Sequence, residues 1–168
     1  MSNMDIIIRT GTIDDARAIH SAILGIGEAI GEADKVASTV DDIRRHGFGG
    51  KPAFETLIAE VDGRFAGLSL FFPSFSTFYG KPGIYVQDLY VAPEFRGRGV
   101  AEQLMRETAQ LTRQRGGTYI RLSADAINQT AQKFYKRIGM RWAEEECIFI
   151  ARHAAFDALC ELNREGSE

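Results

Sequence analysis

Apolar positions along the chain change period several times, and each change marks an element. Three β-branched residues, Ile6-Ile7-Ile8, end at Arg9 and predict a short strand. Thr12, followed by Asp14 and Asp15, offers a helix N-cap and an acidic first turn, which predicts a helix over residues 13–24. Gly25, Gly27 and Gly31 then interrupt the period, predicting a loop or broken helix before a second helix over 39–46. Residues 54–61 and 65–72 read as strands joined at Asp62-Gly63, a two-residue hairpin signal. Residues 83–91 form a third central strand in this reading, and 99–115 a helix stopped by Gly116-Gly117. A strand over 118–123, a helix over 130–138, an extended segment over 140–151 and a short helix over 154–163 complete the chain. Strands followed by alternating strand and helix, without repeat or low-complexity linker, predict one mixed-sheet α/β domain.

The passage from the third central strand into its helix carries the chemistry. Arg96-Gly97-Arg98-Gly99-Val100-Ala101 opens a helix with small side chains and two guanidinium groups. A first helical turn leaves N–H groups without intrahelical partners, and the macrodipole makes that end partly positive, so an anion docks there. Glycines let a ligand approach the backbone, and Arg96 and Arg98 add charge-assisted hydrogen bonds. A pyrophosphate suits such a seat. The letters contain no G-x-x-x-x-G-K-[ST] run and no G-x-G-x-x-G in a dinucleotide-binding unit, which disfavours nucleoside triphosphates and dinucleotides.

Length and composition narrow the classes further. With 168 residues the chain has material for one domain with a substantial core. A net charge of −3 argues against general nucleic-acid binding, which needs many cationic contacts to phosphate. No apolar run approaches the ~18 residues of a membrane span. Cys147 and Cys160 lack CxxC spacing and a His cluster, and the N-terminal letters lack a basic region followed by a long apolar stretch. The expectation is a reduced, cytoplasmic protein without structural metal.

The run filled by Arg96, Gly99 and Ala101 fits [QR]-x-x-G-x-[GA], and here the sequence resembles the GNAT superfamily of N-acetyltransferases. A second segment, Asn128-x-x-Ala131-x-x-Phe134-Tyr135 followed by Gly139-Met140, resembles that family's N-x-x-A-x-x-F-Y-x-x-x-G-F. The resemblance implies a single-domain GNAT fold over residues 1–168: α/β, with a mixed, mostly antiparallel twisted sheet, helices on both faces and splayed central strands. It implies acetyl-CoA as cosubstrate. Its pantetheine would lie along Leu89-Tyr90-Val91, held by backbone groups of Leu89 and Val91, and its pyrophosphate on Gly97, Arg98, Gly99, Val100 and Ala101. Asn128 would touch it from the other side. Core packing explains Leu89 and Val91 equally well, because only their backbone is asked to act.

Direct acetyl transfer needs a neutral amine. A lysine-like ammonium has a pKa near 10.4, so its deprotonation at pH 7.4 costs about 4 kcal/mol and calls for a base or water relay. By its place in the motif Tyr135 matches the family's general acid, the donor to the departing thiolate. Further likeness to the diamine acetyltransferase group, including relatives acting on thialysine, rests on Gly47-Phe48-Gly49 before Pro52, on FPSFSTFYGK at 72–81 and on IYVQDLYV at 84–91. That group carries Glu-Asp where this chain has Gln87-Asp88. Glutamine accepts no proton, and strand alternation turns Asp88 to the other face unless a bulge redirects it. Either Gln87 orients a water, or the substrate arrives with a lower pKa.

Substrate signals are the faintest. Ser76, Thr77 and Phe78 fall where the family contacts amines, and their lack of an acid speaks against a long polyamine. Phe75, Phe78 and Tyr79 offer an apolar wall, or core and dimer contacts. Glu28 and Glu32, one turn apart if helical, could receive a second cationic end. Glu144-Glu145-Glu146 reads as a surface turn. The favoured reading is an acetyl-CoA-dependent N-acetyltransferase of a small primary amine, diamine-, polyamine- or lysine-like, working in a ternary complex as a homodimer. The rivals are a catalytically silent acyl-CoA-binding regulatory domain and a protein or peptide N-acetyltransferase, which requires an open groove that the segment 71–82 could cover.

Overall fold

The computed structural model describes residues 5–161. Five strands run in sheet order β1-β2-β3-β4-β5, so each neighbour in sequence is a neighbour in space. They are β1 (Ile6–Thr10), β2 (Glu55–Val61), β3 (Arg64–Ser76), β4 (Lys81–Val91) and β5 (Ile120–Leu122). The first three pairings are antiparallel and β4–β5 is parallel, giving the expected mixed, mostly antiparallel sheet. Asp62 and Gly63 both take positive φ, +51° and +71°, the geometry of a two-residue turn whose twist matches the strands it joins. β3 and β4 each extend further than the apolar letters indicated, so the aromatic run at 72–81 forms the end of a long hairpin.

Two helices cover one face. α1 (Ala16–Ala29) places Ala16, Ile19 and Ala22 against Ile58, Leu68 and Leu70, and α2 (Val40–Phe48) adds Ile43. Thr39 caps α2, its hydroxyl accepting from the Asp42 N–H while the Asp42 carboxylate accepts from Thr39. α1 does not break at its glycines as the period suggested. Gly25 lies inside the helix, where a Cβ would stand 2.7 Å from the Tyr90 ring; the missing side chain is room for the tyrosine. The helix ends at Ala29, and Gly31 with φ +73° turns the chain.

The opposite face carries α3 (Val100–Gln114). Leu68 and Leu70 belong to the α1 cluster, so the intervening Ser69 points the other way. There its hydroxyl lies 3.1 Å from that of Thr108, which also donates to the Leu104 carbonyl. With both faces covered, β2 is buried at most of its positions on both sides, which explains its near-continuous apolar run.

By compactness the chain divides into Met1–Lys133 and Phe134–Glu168, a division that falls inside α4 (Gln129–Arg137). In the second unit the segment 140–151, expected to be extended, forms no strand, and Ile148, Phe149 and Ile150 are exposed. Arg141 grips Glu145 through both guanidinium nitrogens, which holds that carboxyl down to about 2, so the three glutamates do form a surface turn. α5 spans Ala154–Cys160; the predicted end of that helix, 162–163, lies outside the described residues.

Candidate active site

The centre of the site is a register shift in β4. Phe71 stands opposite Val86 and Leu70 opposite Asp88, so Gln87 is an extra residue with no partner on β3. Because Leu70 and Phe71 point to opposite faces, Val86 and Asp88 do too, although they are two residues apart. This is the bulge on which the role of Asp88 depended. It turns the Asp88 carboxylate onto the face that α1 covers and leaves Gln87 exposed. Burial pushes the Asp88 carboxyl up to about 6 from its ordinary value near 4.

The same bulge ends the contact with β5. Ile84, Tyr85 and Val86 pair with Ile120, Arg121 and Leu122, and from Asp88 to Val91 β4 pairs with β3 alone. The two strands part here, as the fold class required. Ladder alternation sets which peptide groups face the gap. The Ala92 N–H donates to the Ala66 carbonyl, so residues at even positions turn their polar groups to β3, and Leu89 and Val91 turn theirs away. The Val91 carbonyl already accepts from Arg96 Nε on that side, at 3.1 Å. An extended chain with amide groups has a strand edge to pair with. Tyr90, by contrast, uses its backbone within the sheet and its ring against α1, so only its two neighbours present the edge.

Beyond Val91 a single 3-10 turn, Pro93–Phe95, leads to the glycine loop. Gly97 and Gly99 have φ of +72° and +82°, the left-handed region that favours glycine, and the space where each Cβ would stand is open. Gly99 is the N-cap of α3 and brings no side-chain cap; its carbonyl accepts the first i to i+4 bond, from Gln103. The N–H groups of Val100, Ala101 and Glu102 therefore precede the first intrahelical donor. Arg96 and Arg98 are exposed beside them. A diphosphate fits this seat: N–H groups ahead of the intrahelical ladder, an open approach and cationic flanks.

Other expected residues stand elsewhere. Asn128 caps α4, its Oδ1 accepting from the Ala131 N–H, which leaves its amide nitrogen for a ligand. Ser76 and Phe78 sit at the β3–β4 hairpin tip, where the Ser76 hydroxyl accepts from Tyr79 N–H and Phe78 is 89% exposed. Six residues of strand, roughly 20 Å, separate that tip from the bulge. Glu28 lies exposed in the last turn of α1, but Glu32 is outside the helix and salt-bridged to Lys35; the one-turn pair is not formed. Tyr135 lies on α4 in the second unit, its ring edge-on to Phe134 at 5.3 Å.

Two residues not singled out by the sequence belong to the site's face. Phe72 and Tyr85 are cross-strand partners whose rings stack 5.1 Å apart at 19°, next to the bulge, and the Tyr85 hydroxyl donates to Ser123 Oγ. Alternation alone would have placed Tyr85 and Asp88 on opposite faces; only the bulge unites them. Among the described residues no cluster of His, Cys, Asp and Glu is arranged to hold a metal ion, and no helix is long and apolar enough to cross a membrane.

Known proteins resemble the chain in sequence and in fold. The chain is 29% identical over 144 residues to the thialysine N-epsilon-acetyltransferase of Sus scrofa, covering 81% of this chain and 84% of that protein. An integron cassette protein from the mobile metagenome of V. cholerae superposes with a TM-score of 0.79 at 19% identity, over 94% of this chain and 99% of the other. An aminoglycoside N-acetyltransferase in complex with CoA gives 0.71 at 18% identity, over 90% and 96%. These two establish likeness of fold. The acetyltransferase (GNAT) family itself matches residues 28–140, a stretch that holds the bulge, the parted strands and the glycine loop, and the chain belongs to that family of N-acetyltransferases.

Proposed function

We propose that this protein transfers the acetyl group of acetyl-CoA to the terminal primary amine of a small lysine- or diamine-like molecule, directly and in a ternary complex. The observation that carries the reading is the continuity of one surface. The outward peptide edge at Leu89 and Val91 is followed, after the single turn Pro93–Phe95, by the Gly97–Gly99 loop and the α3 N-terminus. Backbone groups of Leu89 and Val91 hold the pantetheine arm, and the N–H groups after Gly99, with Arg96 and Arg98, hold the diphosphate. Bound there, acetyl-CoA supplies an activated acyl carbon at the end of the slot nearest the bulge.

Asp88 takes the proton. Its carboxyl, raised to about 6 by burial, is ionised at neutral pH yet basic enough to accept from an ammonium that is losing its proton to reaction. Gln87, exposed beside it, orients the amine or a water and does not itself accept a proton. As the nitrogen bonds to the acyl carbon and the carbon–sulfur bond breaks, Tyr135, assigned by its place in the motif, donates its hydroxyl proton to the sulfur. Support for a lysine-like acceptor comes from the relative that bears thialysine in its name and from a hairpin tip without acids.

The test is release of free CoA from acetyl-CoA in the presence of diamines, lysine analogues, amino acids and peptides. Turnover with a small ω-amine supports the reading. CoA binding without turnover on any amine favours the silent acyl-CoA-binding alternative, and turnover on peptides alone favours protein N-acetylation.

A further inference from the structure

One aromatic ring bridges α1 and β4 beside Asp88. β4 sets Tyr90 opposite Leu68 and Asp88 opposite Leu70, so both side chains leave the sheet on the face that α1 covers, roughly 7 Å apart along the strand. The Tyr90 ring crosses to the helix at Gly25: a Cβ on that glycine would stand 2.7 Å from Cε2, 2.9 Å from Oη and 3.0 Å from Cζ. Gly25 lies within α1 and takes no positive φ, so the backbone does not call for glycine there, and glycine weakens a helix interior. What the position supplies is a notch for the ring.

The elements packed on this face bring apolar groups to Asp88 and turn their charges elsewhere. β3 presents Leu68, Leu70 and Phe72. On α1, Arg17 and Glu28 are exposed, and His20 Nε2 donates to the Ser38 carbonyl at 2.7 Å. On α2, Arg44 pairs with Asp41, the Asp42 carboxylate accepts from Thr39, and Arg45 and His46 are exposed. Glu32, past the end of α1, pairs with Lys35. On β4 the Tyr85 hydroxyl donates to Ser123, and Arg121 is exposed on β5, whose pairing with β4 ends at Val86. Burial is what lifts the Asp88 carboxyl to about 6.

We infer that Tyr90, seated in the notch at Gly25, is the positioning residue that closes one end of the α1–β4 cleft to water and so keeps Asp88 a base. This rests on the reading of Asp88 as the proton acceptor. A phenol ring suits the task, being broad, apolar on its faces and held by only two side-chain torsions. The other end of the cleft, at the bulge where Gln87 is exposed, is left for the amine. Tyr90 thereby sets the proton affinity of its neighbour without exchanging a proton itself.

The experiment follows the carboxyl carbon shift of Asp88 against pH by NMR, with Asp88→Asn to assign the resonance, and in parallel the acid limb of kcat/KM for CoA release with thialysine. The variants are Tyr90→Ala, Tyr90→Phe, Gly25→Ala and the double variant Gly25→Ala with Tyr90→Ala; heat of CoA binding checks that each is folded. The wild-type midpoint is expected at about 6. Tyr90→Ala is expected to lower it by about one pH unit and the rate plateau by roughly threefold to tenfold, as a weaker base requires. Tyr90→Phe, which keeps the ring, is expected to restore the midpoint. Gly25→Ala, which displaces the ring, is expected to move the midpoint in the same direction as Tyr90→Ala and to add nothing once the ring is gone. A midpoint that Tyr90→Ala leaves at about 6, or a Gly25→Ala effect that persists in full without the ring, overturns the inference. Where Tyr90→Ala does not fold, Gly25→Ala decides alone, and an unmoved midpoint overturns it. A carboxyl whose titration moves while the rate limb does not overturns Asp88 as the acceptor and leaves the seal standing.

Discussion

Asp88 pairs across the sheet with Leu70, placing a carboxylate on the surface that α1 packs against. A fold tolerates that only at a cost. The folded carboxyl titrates at about 6, above its unfolded value near 4, so the stability present at low pH is lost as pH rises through 6. Asp88→Asn is expected to raise unfolding free energy by on the order of 2 kcal/mol at pH 7.5 and by almost nothing at pH 4, while acetyl transfer falls. Denaturant titrations at the two pH values check this; a variant equally stable to the wild type at both contradicts it.

The glycine loop predicts a binding defect of separate origin. Gly99 has φ +82° and open space where a Cβ would stand, so Gly99→Val strains the backbone without a steric clash. Such strain costs about 1–2 kcal/mol, more for a β-branched residue. Affinity for CoA should fall about tenfold or more, with little change in affinity for the amine, as calorimetric titration of each ligand would record.

Tyr135 is expected to act on the rate and not on binding. Tyr135→Phe keeps the ring and its edge-on contact with Phe134 while removing the donor proton. A loss of about a hundredfold in kcat with CoA affinity nearly intact fits a general acid. Equal losses in both would assign the ring to packing.

Assembly as a homodimer, the expectation from the family resemblance, is tested at the C-terminal helix, where Phe156 and Leu159 are each 56% exposed. Sedimentation is expected to give two copies for the wild type and a shift to one copy for Phe156→Asp with Leu159→Asp. A wild type that sediments as a single copy ends this part of the account.

How much of this was legible in the letters depended on whether the signal was local. The Asp62-Gly63 turn is dictated by nearby residues and appears where local chemistry puts it. Gly25 misled because an interior glycine looks alike whether it breaks a helix or admits a neighbour; the neighbour, Tyr90, is 65 positions away. The bulge at Gln87 has no letter signature, since it exists only in the register with β3, and with it went the side to which Asp88 and Tyr85 point. Ser76 and Phe78 were drawn toward the site by resemblance, while strand length carries them to the hairpin tip. Glu32 was lost from the predicted pair once α1 stopped at Ala29.

The central claim is that Asp88, redirected by the bulge, accepts the acceptor's proton during acetyl transfer from acetyl-CoA. Its most direct test is the pH dependence of kcat/KM for CoA release with thialysine, in the wild type and in Asp88→Asn. The wild-type rate is expected to rise through a pKa of about 6 and then level, and the variant to be slowed by about a hundredfold and to lack this rise. A variant that keeps both the wild-type rate and its acid limb would contradict it.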